Sequence, residues 1–342
     1  NSVIWLIFAA FMFALGYKKT GLGKRVSLIM VKYMGKSSLG LGYAVAFSDL
    51  VLSPFMPSNT ARSAGTIFPV ASNIPLIFNS TPDNDPRKLG SYISWVAIAA
   101  TCVTSSMFLT ALAPNLLAVD LINQGTGNMI SWGAWAAIML PIMIPLFLLT
   151  PWLVYVVYPP TQKKSPEAPA WAAEELQKLG KITSKEILMA GLAVVALLLW
   201  IFGKHVGVHS TTAAIAVVSV MVLTKVITWE DVISNKAAFN VLIWFASLVA
   251  MAAGLKKVGI LDWIGTNTEV YLSGMSPMML ILSMLILFFV LHYFFASTTA
   301  HTTALMPIFL AIAMNLMTPE QLVPFSILLA GSLGVMGIIT PY

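Results

Sequence analysis

Apolar residues run along the chain in long stretches, each bounded by a short polar or basic segment. A helix needs about 20 consecutive apolar residues to cross hydrocarbon. The pattern predicts full spans at 1–16, 91–119, 130–158, 186–203, 207–224, 239–254 and 321–342. Two further apolar regions, 39–78 and 276–318, differ from these. Each is a pair of limbs broken in the middle by a polar tip, Ser58-Asn59-Thr60 or Ser297-Thr298-Thr299. The first pair also carries Asp49, Arg62, Pro54, Pro57, Pro69 and Pro75. Lipid-facing backbone does not tolerate such interruptions, because each freed polar group costs several kcal/mol, but backbone inside a protein-walled cavity does. Re-entrant hairpins fit best, although two kinked full spans would give the same loop parity. Segments 20–36 and 256–272 are amphipathic and are expected to lie along the interface as arms. Tyr158 to Lys185, with Pro159, Pro160, Pro166, Pro169 and mixed charges, reads as a linker with a short surface helix at Trp171 to Leu179.

Composition agrees with a membrane chain. Hydrophobic residues make up 58% and charged residues 9% of the 342 residues, where a soluble domain carries about 25% charged residues. The formal charge of +6 does not point to nucleic acid, because its distribution follows the membrane. Fifteen of the 19 Lys and Arg fall on the side that holds 17–38, 79–90, 158–185 and the 225–236 loop. Three, Lys204, Lys256 and Lys257, fall on the other side, and Arg62 lies inside. The positive-inside rule makes the basic side cytoplasmic. Cys102 is the only cysteine, which excludes an intramolecular disulfide and a cysteine-based metal cluster. The first residues lack a basic n-region and a small-residue cleavage site, and the last ones are apolar without a polar exit. The chain is expected to be a piece cut at both ends.

The chain also repeats itself. Gly16-Tyr17-Lys18-Lys19-Thr20-Gly21 matches Gly254-Leu255-Lys256-Lys257-Val258-Gly259 at an offset of 238, and Ser58-Asn59-Thr60-Ala61 matches Ser297-Thr298-Thr299-Ala300 at 239. Five spans separate Gly16 from Gly254, and an odd number inverts the second copy. Inverted repeats with broken helices are the signature of secondary transporters. The expected division is a first repeat at 1–157, with a cytoplasmic-side hairpin and a broken span. A linker follows at 158–185, then a linking span and second repeat at 186–342, with an external-side hairpin and an incomplete broken span.

Candidate chemistry sits at the interruptions. Ser, Asn and Thr satisfy unpaired backbone donors at a helix start, and a helix N-terminus attracts an anion. Two such termini meeting near the midplane would hold the two ends of a dicarboxylate, unless the tips merely cap their helices. In Met107 to Asn115, Pro114 removes a helical donor and frees the carbonyl of Thr110. Free carbonyls beside hydroxyls suit a hard cation such as sodium, unless the break is an ordinary proline kink. Gly331 to Tyr342, with Thr340 and Pro341, is the parallel segment of the second repeat. Arg62 is a lone intramembrane cation, a class that is usually functional. It pairs either with a substrate carboxylate or with Asp49 across the hairpin. His301 holds the equivalent place in the second hairpin, as a substrate contact or a structural hydrogen-bonder. The methionines and tryptophans of the spans receive no role.

At Pro57-Ser58-Asn59-Thr60-Ala61-Arg62, at Thr104 to Asn115 (TSSMFLTALAPN) and at Ala296 to Pro307 (ASTTAHTTALMP), the sequence resembles the divalent anion:sodium symporter family. This family includes the citrate, dicarboxylate and plastid oxoglutarate/malate carriers. The resemblance implies an all-α polytopic fold, a homodimerising scaffold, a mobile transport domain and elevator-type alternating access in the bilayer of a bacterial inner membrane. By that likeness Ser58, Asn59, Thr60, Ser297, Thr298 and Thr299 contact substrate carboxylates, with Arg62 and His301 as further candidates. Sodium would lie beside each tip, among Ser53, Ser58, Asn59, Thr110, Ala111, Pro114, Asn115, Thr298 and Thr340. Two departures matter. Thr298 stands where many members have Asn, and the Arg62-bearing version looks closest to the exchanger branch, so that sodium symport and dicarboxylate exchange both stay open. No organic cofactor is expected. An intramembrane enzyme is the main rival, but no nucleophile–base or metal constellation has workable spacing. An anion channel is the second.

Sidedness is open to direct test. In a Cys102→Ser background, a cysteine at Gln162 should be labelled from the cytoplasm and one at Gly125 from outside. Labelling of both from one side would contradict the inverted arrangement.

Overall fold

The computed structural model describes residues 2–272 and 274–338, and among them every extended element is helical. Helix α1 (Ser2–Thr20) ends at Gly21, whose φ of 78° only glycine adopts without strain, and the chain turns into the amphipathic α2 (Leu22–Met34). Ser37 caps α3 (Ser38–Leu52) by accepting from the Gly40 N–H. A 3-10 turn over Ser53–Phe55, an extended tip, a π-helical stretch over Thr60–Ile67, and the short α4 (Phe68–Ala71) and α5 (Asn73–Ile77) complete the first hairpin. The predicted span 91–119 is two helices, α6 (Gly90–Met107) and α7 (Ala113–Thr126), on either side of a 3-10 turn over Leu109–Ala111. Helix α8 (Trp132–Val157) runs unbroken through Pro141, Pro145 and Pro151.

The linker contains α9 (Glu167–Leu179), longer at its start than the surface helix expected there. Then come α10 (Ser184–Phe202), opened by a Thr183–Glu186 capping box, α11 (Ser210–Leu223), the short α12 (Trp229–Ile233) and α13 (Lys236–Lys257). Helix α14 (Ile260–Leu272) precedes the second hairpin, α15 (Pro277–Val290), a 3-10 turn over Leu291–Phe294, and α16 (Thr298–Leu316). Helix α17 (Pro319–Val335) passes into a 3-10 turn over Met336–Ile338. Eight helices among the described residues are long and apolar enough to cross a membrane. Their lipid side is made of exposed apolar residues, as at Leu148, Leu149, Trp152 and Val156 of α8.

The two halves share their element boundaries. Gly259 (φ 77°) matches Gly21, and α14 starts and ends 238 residues after α2. Ser276 caps α15 as Ser37 caps α3, 239 residues earlier, and each hairpin passes from a 3-10 turn through an extended residue into its tip. The 3-10 turn at the end of α17 stands where the break of α6 begins.

Packing sorts the helices into two groups. Helices α1, α10, α11 and α13 pack together, and α3, α6, α7, α8, α16 and α17 form a second group. Helix α2 lies against α3 and the linker helix α9, and α14 lies against α16. Segments that the charge pattern put on one side are in contact. Lys19 pairs with Asp231 at 2.5 Å and Arg25 pairs with Glu186 at 2.5 Å. Hydrogen bonds from Lys19 and Thr228 hold the Asp231 carboxyl down at about 2, below the usual carboxylate range, so this contact is ionic throughout the physiological pH range. On the other side, Lys256 donates to the carbonyls of Gln124 and Gly125 at 2.6 and 3.1 Å, at the C-terminal end of α7.

Candidate functional site

Both hairpin tips are helix N-caps of the same construction. The Ser58 hydroxyl accepts from the Ala61 N–H at 3.2 Å, and its carbonyl accepts from the Arg62 N–H at 2.9 Å. The Ser297 hydroxyl accepts from the Ala300 N–H at 3.1 Å, and its carbonyl accepts from the His301 N–H at 3.0 Å. Asn59 adds a bond to the Thr60 N–H at 2.8 Å, and the hydroxyls of Thr302 and Thr303 bond back to the carbonyls of Thr298 and Thr299. Ser58, Asn59, Ser297, Thr298 and Thr299 are half-buried and Thr60 is exposed, whereas Ser53 to Pro57 behind the first tip are buried. Both polar tips are thus accessible, the first on a buried base, and the positive partial charge of a helix start favours an anion there.

The first tip is stitched to the break between α6 and α7. The Ala113 N–H donates to the Pro57 carbonyl at 2.7 Å, and the Thr110 hydroxyl donates to the Pro54 carbonyl at 2.6 Å. Pro114 sits in the first turn of α7, where its missing donor costs nothing. The break therefore exceeds a proline kink, with Phe108 and Leu112 extended on either side of the 3-10 turn.

Arg62 is the pin. It is fully buried, and its Nε lies 3.1 Å from both Asp49 oxygens. Nη1 donates to the carbonyls of Met56 at 2.7 Å and Ala111 at 2.8 Å. Nη2 donates to the Ser105 hydroxyl at 2.9 Å and the Thr101 hydroxyl at 3.2 Å. All five N–H donors meet protein acceptors. The Thr104 hydroxyl bonds to Asp49 from the other side. Of the two readings of Arg62, the geometry favours the pairing with Asp49 and leaves no donor for a substrate carboxylate.

Several candidate cation ligands are committed in the same way. The Ala111 carbonyl is taken by Arg62, and the Ser53 hydroxyl bonds to the Leu50 carbonyl at 2.9 Å. Asn115 donates its amide to the carbonyls of Ser105 and Phe108 at 2.8 and 3.3 Å, while its Oδ1 is buried with no partner among the described residues. Thr340 lies outside the described residues. His301 is fully buried in an aromatic box, with Phe288 at 4.3 Å, His292 at 5.0 Å and Phe295 at 5.2 Å between ring centroids.

The ends of α6 and α17 meet. A Cβ on Gly334 would stand 2.3 Å from the Ser106 hydroxyl and 2.6 Å from its backbone nitrogen, so α17 approaches α6 backbone to backbone just before both helices break. Two tryptophans that had received no role brace this crossing. Trp135 donates to the Ser106 carbonyl at 3.1 Å and Trp132 to the Thr110 hydroxyl at 3.4 Å. Their spacing of three residues at the start of α8, behind the Ser131 cap, is the signal that marks them as a shared face. Thr101, Thr104 and Ser105 also escaped notice as partners of Arg62, although the same helical spacing aligns them on α6.

A family model described as the sodium:sulfate symporter transmembrane region matches residues 1–342. The chain belongs to this family. The L-tartrate/succinate antiporter of Escherichia coli (strain K12) is 49% identical over 344 residues, covering 100% of this chain and 70% of the relative. The L-tartrate/succinate antiporters of Shigella boydii serotype 4 (strain Sb227) and Shigella flexneri give the same identity and coverage. The resemblance drawn from the tips and the broken span is thereby borne out. This protein is an integral membrane transporter and not an enzyme. A helical bundle with bacterial relatives belongs to the inner membrane, since single-chain outer-membrane spans are barrels.

Removing Arg62 strands Asp49 in a buried site, and breaking such a pair costs about 3–5 kcal/mol. Arg62→Ala is expected to lower the thermal unfolding temperature sharply, and Arg62→Ala/Asp49→Asn to recover part of the loss. Unchanged unfolding of Arg62→Ala with weakened substrate affinity alone would make Arg62 a substrate ligand.

Proposed function

We propose that this transporter exchanges four-carbon dicarboxylates such as tartrate and succinate. One anion is held between the caps at Ser58–Thr60 and Ser297–Thr299. The observation that carries this reading is the twin cap, two half-buried helix starts of the same hydrogen-bond pattern at the ends of matching hairpins. Each offers half-buried hydroxyls at the positive end of a helix to one carboxylate, and a molecule with two carboxylates engages both. The names of the relatives given above agree with this class of substrate.

Exchange is favoured over sodium symport by what surrounds Arg62. The carbonyls of Met56 and Ala111, the oxygens best placed for a cation between tip and break, already accept from a guanidinium. Asp49 pairs with Arg62 and Thr104, so the buried pair is neutral, and what a cation would lack there is free carbonyl ligands. In this reading Arg62 permanently occupies, beside the first tip, the carbonyl ligands that a sodium ion would use. Asn115 Oδ1 and the Ser106 hydroxyl, both buried without partners among the described residues, are the groups left for an ion or a water.

The grouping of helices supports a scaffold of α1, α10, α11 and α13 and a moving body that carries both hairpins, linked by the arms α2 and α14. The same reading makes residues 1–157 and 186–342 inverted repeats around the 158–185 linker. It extends to an elevator-type motion and, by the family resemblance, to a homodimer.

Uptake of labelled succinate into proteoliposomes tests the reading. Uptake should require unlabelled tartrate or succinate inside and should not change when sodium is replaced by potassium. Uptake into empty vesicles driven by a sodium gradient would overturn exchange, and flux far above carrier turnover would point to a channel.

A further inference from the structure

The cytoplasmic rim at the base of the first hairpin carries a patch of cations that the transport site does not use. Three distant segments are stitched together there by backbone hydrogen bonds. Ser38 N–H donates to the Lys163 carbonyl at 3.1 Å and Ser165 N–H to the Lys36 carbonyl at 3.0 Å. Thr161 and Gln162 N–H donate to the carbonyls of Arg87 and Lys88 at 3.3 and 3.1 Å. Ser37 and Lys164 form an isolated bridge. The backbone thus holds Lys36, Arg87, Lys88, Lys163 and Lys164 close together.

Lys36, Arg87, Lys163 and Lys164 are exposed and Lys88 is half-buried. No ion pair among the described residues joins any of the five to a carboxylate, although Asp83, Asp85 and Glu167 lie near them in sequence. Lys19, Lys24, Arg25 and Lys178, on neighbouring helices, all close such pairs. Two of the free cations instead lie over aromatic rings. The Arg87 guanidinium is 5.1 Å from the Tyr158 ring and the Lys163 ammonium is 4.5 Å from the Tyr155 ring. The Tyr158 ring is 6.4 Å from that of Trp95, which is 52% exposed, and Trp152, one turn before Tyr155 on α8, is 46% exposed. Tryptophan and tyrosine at helix ends mark the depth of the lipid headgroups. Below them, the exposed Leu148 and Leu149 of α8 and Ile98 of α6 offer an apolar wall.

We propose that this rim binds the phosphate headgroup of an anionic phospholipid, with its acyl chains along α6 and α8. The charge balance, the headgroup-level aromatic rings and the apolar wall below them select a lipid over a free anion, which would use only the cations. Bound there, the lipid touches the junction of α2 with the first hairpin through Lys36 and the stitched Ser37–Ser38 segment.

Native mass spectrometry of the purified transporter titrated with phosphatidylglycerol or phosphatidylcholine tests the proposal. The wild type should retain phosphatidylglycerol preferentially. The triple variant Arg87→Gln/Lys163→Gln/Lys164→Gln should bind it about tenfold or more weaker with phosphatidylcholine unchanged. The control Lys181→Gln/Lys185→Gln should bind as the wild type does. If the triple variant is unstable, the single variants Lys163→Gln and Lys164→Gln, checked for a wild-type melting temperature, should each show a partial loss. Inorganic phosphate should not displace the lipid. Undiminished phosphatidylglycerol binding in the variants, an equal loss in the control, or displacement by phosphate alone would each overturn the proposal.

Discussion

One buried guanidinium holds the first hairpin tip and the helix break beside it in shape. Arg62 stands at the start of the return limb of its hairpin, and its partners come from the entering limb, the extended tip, α6 and the break that follows α6. An extended tip and a broken helix both expose carbonyls that a membrane interior cannot hydrate, and each unsatisfied group there costs several kcal/mol. Arg62 satisfies two of those carbonyls at once and is itself neutralised by Asp49. Without it, neither interruption would be sustainable so close to the other. Lysine could not replace it, because a point ammonium lacks the planar fork that spans these acceptors.

Both interruptions cost the fold. A span without the break would be cheaper to fold, and a tip without Ser58 would leave the Ala61 N–H unpaired. The second hairpin solves the same problem with different chemistry behind the tip, replacing the Arg62–Asp49 pair with His301 in a box of Phe288, Phe295 and His292. The two caps are alike, whereas their supports are not. One tip therefore rests on a buried neutral ion pair, and the other on aromatic packing around a buried histidine.

Much of this was legible in the pattern of residues. The hairpins announced themselves because a Ser-x-Thr tip inside an apolar run has no reason to exist in a simple span, and the arms followed from their amphipathic period. The repeat was visible in two short strings, yet the structure extends it to cap residues and helix ends where the side chains differ, as at Leu22 and Ile260. The length of the break was not legible. A proline reveals one lost donor, whereas the opening from Phe108 to Leu112 also depends on Arg62 and Pro57 capturing groups on the far side. The pairing of Arg62 was equally hidden, because a separation of thirteen residues around a hairpin says nothing about distance until the tip geometry is known. Trp132 and Trp135 were overlooked because tryptophan in a span usually faces lipid, and only their hydrogen bonds to the break distinguish them.

That both caps hold one anion can be measured by calorimetry of succinate binding to Ser58→Ala, Ser297→Ala and the double variant. A hydrogen bond to a charged group contributes about 1.5–3 kcal/mol, or roughly ten- to over a hundredfold in affinity. Each single variant should weaken succinate within that range, and a monocarboxylate, which needs one helix start, should lose less from one of the two. Succinate affinity unchanged in both single variants would place the anion elsewhere and reduce the tips to helix caps.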